Sequence, residues 1–284
     1  MSISKIGVVG AGTMGNGIAQ VAAQSGLKVI LADIDQAFID KGLINMVKNW
    51  DKDLKKGKIS EEQKAGFIGN IATSTDKSAL QDCDLVVEVI IENIDIKKQL
   101  FKELNEICAA QTIIATNTSG FSITEIAAAS GRPDRVVGTH FFNPVPVMRL
   151  VEVIPGSETS RETVETAMEF CKIIGQTAIE AKEAPGFIVN RLLVPYLNDA
   201  CHAYQEGVAS AKDIDEAMKL GANMPIGPLA LCDLVGIDVL LMVTEYFFKE
   251  FGDPKFRPSL AMKQKVRAGH LGVKSGKGFY DYSK

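Results

Sequence analysis

The segment from Lys5 to Gly15, KIGVVGAGTMG, restricts what this 284-residue chain can fold into more than any other stretch. An apolar run leads into Gly10-x-Gly12-x-x-Gly15, and a helix-compatible stretch from Asn16 to Ser25 follows. Each glycine has its own task. Gly10 permits a tight turn from strand to helix, Gly12 lets a pyrophosphate approach the backbone, and Gly15 lets the helix pack closely on the strand. The helix N-terminus then turns unpaired N–H groups and a positive dipole end toward the phosphates. Glycine-rich turns are common, so the context gives this one its meaning. A second apolar run, Leu27 to Ala32, ends at Asp33, 18 residues beyond Gly15. That is near the spacing at which a carboxylate meets the ribose of a bound dinucleotide. Asp33 also selects the cofactor. A carboxylate accepts hydrogen bonds from a ribose 2′-hydroxyl and repels a 2′-phosphate, and Ile34, Asp35 and Gln36 supply no arginine to offset it. NAD is expected, with NADP disfavoured.

The rest of the chain continues the alternation that this unit begins. Strands are expected at Lys5–Val9, Lys28–Ala32, Ile71–Thr73, Leu85–Ile91, Thr112–Ala115, Arg135–Gly138, Leu150–Ile154 and Thr177–Ala181. Between them lie helical stretches at about Gly12–Ser25, Gln36–Lys56, Asp95–Ala110, Ser122–Ala129 and Ser160–Ile174. The second of these places Ile39, Leu43, Met46, Val47, Trp50 and Leu54 at helical spacing. Ser60-x-x-Gln63 reads as a capping box that opens a further short helix. Near-continuous apolar strands alternating with helices mean a parallel sheet covered on both faces. Beyond Pro185-Gly186 no strand pattern follows; Ile188–Glu206, Ala211–Leu220, Ile237–Phe251 and Ser259–Ala268 read as helices. The expected architecture is α/β: a Rossmann-like, mostly parallel sheet domain over residues 1–183, then an all-α domain over residues 184–284.

Composition excludes several classes. Hydrophobic residues make up 46% and charged residues 23%, the balance of a soluble globular chain. A formal net charge of −4 argues against a general nucleic-acid binder. Cys83, Cys108, Cys171, Cys201 and Cys232 are odd in number and show no CxxC spacing, which speaks against a disulfide framework or a zinc site and for reduced thiols in the cytoplasm. The fold is expected to start at Lys5, leaving no room for a cleaved leader. No apolar run approaches the roughly 20 residues that span a bilayer.

Chemistry is expected where strand ends face the cofactor. Ser119, His140 and Glu152 fall at or just past expected strand ends. Imidazole suits proton removal from an alcohol near neutral pH, and His140 follows a strand and opens a loop. Glu152 lies 12 residues on, within reach of fixing the imidazole tautomer. On residue types alone a core histidine and a solvated strand-edge glutamate read equally well. Ser119 also reads as a cap for the helix near Ser122, and Asn190 as a solvent-facing helix residue. The lysines between Lys48 and Lys58 read as a solvated helix face. His202 and His270 look like ordinary histidines.

Five segments together resemble the 3-hydroxyacyl-CoA dehydrogenase family. They are Gly10-x-Gly12-x-x-Gly15, Thr116-Asn117-Thr118-Ser119, His140-Phe141-Phe142-Asn143-Pro144, Leu150-Val151-Glu152-Val153 and Pro185-Gly186-Phe187-Ile188-Val189-Asn190-Arg191. The resemblance runs from Lys5 to Tyr280 and is nearest to the short, single-function bacterial branch. It implies NAD as oxidant, an acyl-CoA thioester substrate with a four-carbon chain, and a cytoplasmic enzyme of fatty-acid or butyrate metabolism. It also implies a helical C-terminal domain that shapes the substrate cleft and forms a homodimer. By resemblance His140 is the general base and Glu152 its orienting partner, with Ser119 and Asn190 bonding the substrate 3-oxygen and thioester. Gly10, Gly12, Met14, Gly15, Asp33, Glu92, Lys97, Asn117, Ser119, Asn143 and Lys274 match the NAD site, and Lys52 and Lys56 match lysines that hold coenzyme A phosphates. Other hydroxy-acid dehydrogenases with a helical C-terminal domain are the first rival, but they use a lysine or cysteine at the chemical step, and HFFNP argues against them. A non-catalytic NAD-binding relative is the second, and it would be expected to lack His140 or Glu152.

Overall fold

In a computed structural model, which describes residues 3 to 283, the chain divides into two compact units, one ending at Ala184 and the other beginning at Pro185. The first holds eight strands: β1 (Lys5–Val9), β2 (Lys28–Ala32), β3 (Ile71–Ser74), β4 (Leu85–Glu88), β5 (Ile113–Thr116), β6 (Val136–Phe141), β7 (Leu150–Pro155) and β8 (Thr177–Glu180). They form one sheet in the order β3-β2-β1-β4-β5-β6-β7-β8. Strands β1 to β6 are mutually parallel; β7 runs antiparallel to β6, and β8 parallel to β7. β4 and β5 are buried along their whole length, as strands covered on both faces must be. From β1 the chain goes to β2 on one side and later returns to β4 on the other. That reversal opens a crevice at the carboxyl ends of β1 and β4, the place where open α/β sheets bind ligands.

Six helices belong to this unit: α1 (Thr13–Gln24), α2 (Gln36–Lys55), α3 (Glu61–Gly69), α4 (Ile94–Ile107), α5 (Ile123–Ser130) and α6 (Arg161–Ile173). α2 buries Ile39, Gly42, Met46 and Trp50, a stripe with helical period. Short polar side chains start the helices. Asp35, Asn93, Ser122 and Ser160 each accept a first-turn N–H, and Ser60 with Gln63 forms both bonds of the expected capping box. Each such cap is worth about 1 kcal/mol. α4 starts and ends slightly earlier than the sequence pattern suggests. Asn93 caps it, and the Arg132 guanidinium takes the carbonyls of Asn105, Cys108 and Ala109 at its end.

Two strands depart from expectation. The β-former run ends as a strand at Glu88, because the Glu88 carboxylate turns back to accept the Ile90 N–H at 2.8 Å. β6 runs on to Phe141 instead of stopping at Gly138, because β7 pairs with it from Val137↔Pro155 to Phe141↔Val151.

The second unit is helical: α7 (Val189–Gln205), α8 (Ala211–Gly221), α9 (Pro228–Val235), α10 (Ile237–Phe251) and α11 (Leu260–Arg267). Its core includes Leu197, Cys201, Leu229, Cys232, Ile237 and Phe247. The sequence pattern does not reveal α9. This eight-residue helix is largely apolar, and its cap comes from α8: Asp215 accepts the Leu229 and Ala230 N–H groups at 2.7 and 2.9 Å. Gly227 makes that approach possible, since a Cβ there would lie 2.2 Å from the Asp215 Cβ. Among the described residues no helix is long and apolar enough to cross a membrane.

Candidate active site

The glycine turn separates two kinds of requirement. Gly10 sits at φ +109°, and a Cβ on it would lie 2.5 Å from the Val89 carbonyl oxygen. A Cβ on Gly15 would lie 1.7 Å from the Gly10 oxygen. Both glycines are demanded by the fold itself. A Cβ on Gly12 would meet nothing within 4 Å, so packing within the chain does not require glycine there and the backbone is open to an approaching group. Gly12 is also the N-cap of α1 and offers no side chain to the first-turn N–H groups. Asp33 accepts the Ala11 N–H at 2.6 Å and the Ile34 N–H at 2.7 Å, which fixes the carboxylate beside the turn. Beside it lies a slot of about 160 Å³ lined by Gly10, Asp33, Ile34, Ile90 and Ile96 among others. An open backbone for a pyrophosphate, next to a mostly apolar slot with a carboxylate in its wall, fits a dinucleotide.

Behind the turn lies an ion cluster that runs from the buried Glu88 and Lys97 to the exposed Glu92. Lys97 is 1% exposed, and its ammonium donates to Glu88 at 2.6 Å and faces Glu92 at 3.3 Å. Lys97 and Glu92, both matched to the cofactor site by resemblance, thus engage each other first. Glu88, fully buried at the β4 end of this chain of charges, was not singled out by sequence reasoning. Glu92 in turn accepts the Thr118 hydroxyl at 2.5 Å and the Ser119 N–H at 2.9 Å. Ser122, not Ser119, caps α5, accepting the Glu125 N–H at 3.1 Å. The capping reading of Ser119 therefore falls, and the residue stands exposed at the end of its loop.

His140 does not follow its strand, as expected, but lies within β6, and Glu152 is the third residue of β7 rather than past a strand end. The two are direct cross-strand partners. Because β7 runs antiparallel, its early residues lie level with the carboxyl ends of the parallel strands. His140 Nδ1 and Glu152 Oε2 are 2.6 Å apart, both residues buried. An ionised carboxylate only accepts, so opposite ionised Glu152 the Nδ1 is the donor, and a neutral ring in that tautomer has its lone pair at Nε2. The Phe142 ring sits 4.5 Å from the imidazole, centroid to centroid. Asn117 accepts the Phe141 N–H at 2.8 Å and so ties the end of β5 to the residue after the histidine.

A second cleft, of about 250 Å³, opens between α1, α2 and the loop after β6. Lys52 lines it with Lys48, Asn45, Asn49 and Asn143. Lys56 is not in its lining; it forms the C-cap of α2. Lys48, read in the sequence only as part of a solvated lysine face, lies one helical turn before Lys52, the spacing that shares a face. Asn143, matched to the cofactor by resemblance, is in the wall of this cleft, and its peptide bond to Pro144 is cis. Met14 is half-buried on α1. In the second unit, Asn190 lies in the first turn of α7, and Lys274 pairs with Asp238 at 2.6 Å. All five cysteines are buried. Burial pushes the Cys83 and Cys171 thiols up to about 12 and Cys108 to about 11, which leaves these three far from a thiolate nucleophile at neutral pH. Among the described residues no group of three His, Cys, Asp or Glu side chains is arranged to hold a metal ion.

Comparison with known proteins matches residues 5–184 to the 3-hydroxyacyl-CoA dehydrogenase NAD binding domain and residues 186–282 to the C-terminal domain of the same family. The chain is 49% identical to 3-hydroxybutyryl-CoA dehydrogenase of Clostridioides difficile, over 99% of this chain and 100% of that protein. It is 45% identical to the human mitochondrial hydroxyacyl-coenzyme A dehydrogenase, over 99% of this chain and 91% of that one. Among solved structures, (S)-3-hydroxybutyryl-CoA dehydrogenase from Ralstonia eutropha superposes with a TM-score of 0.98 at 48% identity, with both chains covered completely.

The glycines give a direct test of the cradle. Gly12→Ala should fold with a Tm close to wild type yet bind NADH at least about tenfold more weakly, about 1.4 kcal/mol. Gly15→Ala should instead lose stability, by about 1–3 kcal/mol for an overpacked contact. Fluorescence titration with NADH and thermal melts check both. A Gly12→Ala protein with unchanged affinity would leave the open space without a ligand.

Proposed function

The chain belongs to the 3-hydroxyacyl-CoA dehydrogenase family, and on that premise we propose that it interconverts L-3-hydroxyacyl-CoA and 3-oxoacyl-CoA with NAD. The four-carbon pair, 3-hydroxybutyryl-CoA and acetoacetyl-CoA, is its preferred substrate. The observation that carries this reading is the His140–Glu152 pair, 2.6 Å apart across β6 and β7 at the end of the sheet where the glycine turn also lies. NAD, when bound, accepts the hydride from substrate C3. His140 Nε2 takes the hydroxyl proton as that hydride leaves, since the new carbonyl cannot retain it. Glu152 holds the ring in the required tautomer and stabilises the imidazolium that forms. In reverse, the imidazolium returns its proton to the alkoxide. The intact pair also counts against a non-catalytic relative.

By the same resemblance Ser119 and Asn190 bond the substrate 3-oxygen and thioester. The remaining cofactor roles go to Gly10, Gly12, Met14, Gly15, Asp33, Glu92, Lys97, Asn117, Asn143 and Lys274. Lys52, joined by Lys48 in the cleft, is assigned to the phosphates of coenzyme A. Lys56 keeps that role at the end of α2. The helical unit after residue 183 is assigned to substrate binding and to a homodimer; its exposed Leu192, Val208, Leu220 and Leu234 support an apolar interface. The setting is cytoplasmic fatty-acid or butyrate metabolism, which cell fractionation tests.

Three measurements test the reading. With acetoacetyl-CoA and NADH, His140→Ala should lower kcat by about 10²–10⁴ while NADH affinity holds. Glu152→Gln should keep the fold and lose much of the rate, because an amide cannot balance the imidazolium charge. Near-normal kcat in both variants would remove the pair from the mechanism. For the lysines, Lys48→Ala/Lys52→Ala should raise KM for acetoacetyl-CoA several-fold at low salt, since exposed charge pairs are worth about 1 kcal/mol or less. Acetoacetyl-N-acetylcysteamine, which lacks the phosphates, should be almost unaffected; equal losses on both substrates would show a packing defect instead. Light scattering should give the mass of two chains, and a monomer at micromolar concentration would refute the dimer.

A further inference from the structure

Glu88 is the least expected charge in the first unit. It ends β4, directly after Leu85, Val86 and Val87, and is fully buried. A buried ion pair gains little stability over apolar residues of the same size, so stability alone is a poor reason for this one. Its bonds reach three segments at once. Oε1 accepts Lys97 Nζ at 2.6 Å and the Ile90 N–H at 2.8 Å, and Oε2 accepts the Thr116 hydroxyl at 2.7 Å. Its main-chain oxygen accepts the Asn117 N–H at 2.9 Å.

Two of these routes end at the dinucleotide cradle. The first runs through Ile90. The bond from Glu88 shapes the Val89–Ile90 turn, and that turn is the surface on which Gly10 closes, 2.5 Å from where its Cβ would be. The second runs through Lys97. Its single positive charge is shared between Glu88 at 2.6 Å and Glu92 at 3.3 Å. Glu92 then holds the Thr118 hydroxyl and the Ser119 N–H. Without the Glu88 charge, Lys97 is left buried with Glu92 alone. A shift of Lys97 toward Glu92 moves the carboxylate that anchors Ser119.

We propose that Glu88 is a positioning residue for the cofactor: its buried carboxylate fixes Lys97 and the Val89–Ile90 turn, and through them the cradle that receives NAD. The assignment rests on the dehydrogenase reading above, but its test does not need the acyl-CoA substrate.

The experiment is a double-mutant cycle read by NADH Kd, with thermal melts on every variant. Glu88→Gln keeps the shape and removes the charge. In a background that retains Lys97 it should raise the NADH Kd by about tenfold. In a Lys97→Met background the same change should raise it less than about twofold, because the charge that Glu88 positions is gone and groups in one network are not additive. A purely structural residue would lower the Tm and leave Kd unchanged, and that result overturns the proposal. Equal effects in both backgrounds overturn it as well. Should Glu88→Gln fail to fold, Thr116→Val removes the hydroxyl that donates to the carboxylate at 2.7 Å, together with its longer 3.3 Å bond from the Thr118 N–H, and should raise Kd about threefold, within the range of one lost hydrogen bond; an unchanged Kd there is equally fatal. A wild-type protein that does not bind NADH at all would instead refute the dehydrogenase reading.

Discussion

A Cβ on Gly15 would lie 1.7 Å from the Gly10 carbonyl oxygen, and much of the first unit follows from that closeness. It lets α1 leave β1 with almost no loop between, so the helix N-terminus faces the crevice where the strand order reverses. The neighbouring turn supports the same arrangement, with Val89 packed against Gly10 from the end of β4. Gly12 alone has room around it. The contrast sorts the fingerprint into two positions that build the turn and one that the turn presents.

The second constraint is the direction of β7. Parallel strands put their carboxyl ends on one side, and residues further along a following parallel strand would start from the opposite edge. By running antiparallel, β7 brings Glu152 level with His140 as a register partner. The His140–Glu152 pair therefore sits on two paired strands and not on the loop after them. Asn117 adds a brace from β5 through the Phe141 N–H.

Behind these groups the interior is charged. Glu88, Lys97 and Glu92 form a chain of contacts from the end of β4 to the Ser119 loop, and Thr116 and Thr118 close the remaining bonds. In the helical unit a similar logic operates with a different purpose. Asp215 caps α9 and accepts the Tyr280 hydroxyl, and Asp233 accepts the Phe279 and Tyr280 N–H groups of the tail. These buried carboxylates join segments far apart in sequence, each satisfied by several donors, as a buried charge must be.

What the amino-acid order determined by itself is everything carried by local spacing. The glycine turn, Asp33 at the end of β2, the capping box at Ser60 and the stripe on α2 depend on residues within a few turns of one another, so their geometry is written in their intervals. The family resemblance extended this to His140 and Glu152 as residue types. Tertiary structure decided the rest. The 12-residue interval let His140 and Glu152 be expected side by side, but apolar runs do not state strand direction, so the antiparallel register that pairs them was not legible, nor was the extension of β6. Asp215 lies 14 residues from the N–H it caps, which hid α9. Glu88 was visible as a lone charge in an apolar strand, but only the fold supplies Lys97 beside it. Long-range partners decide what a buried charge does, and no interval along the chain encodes them.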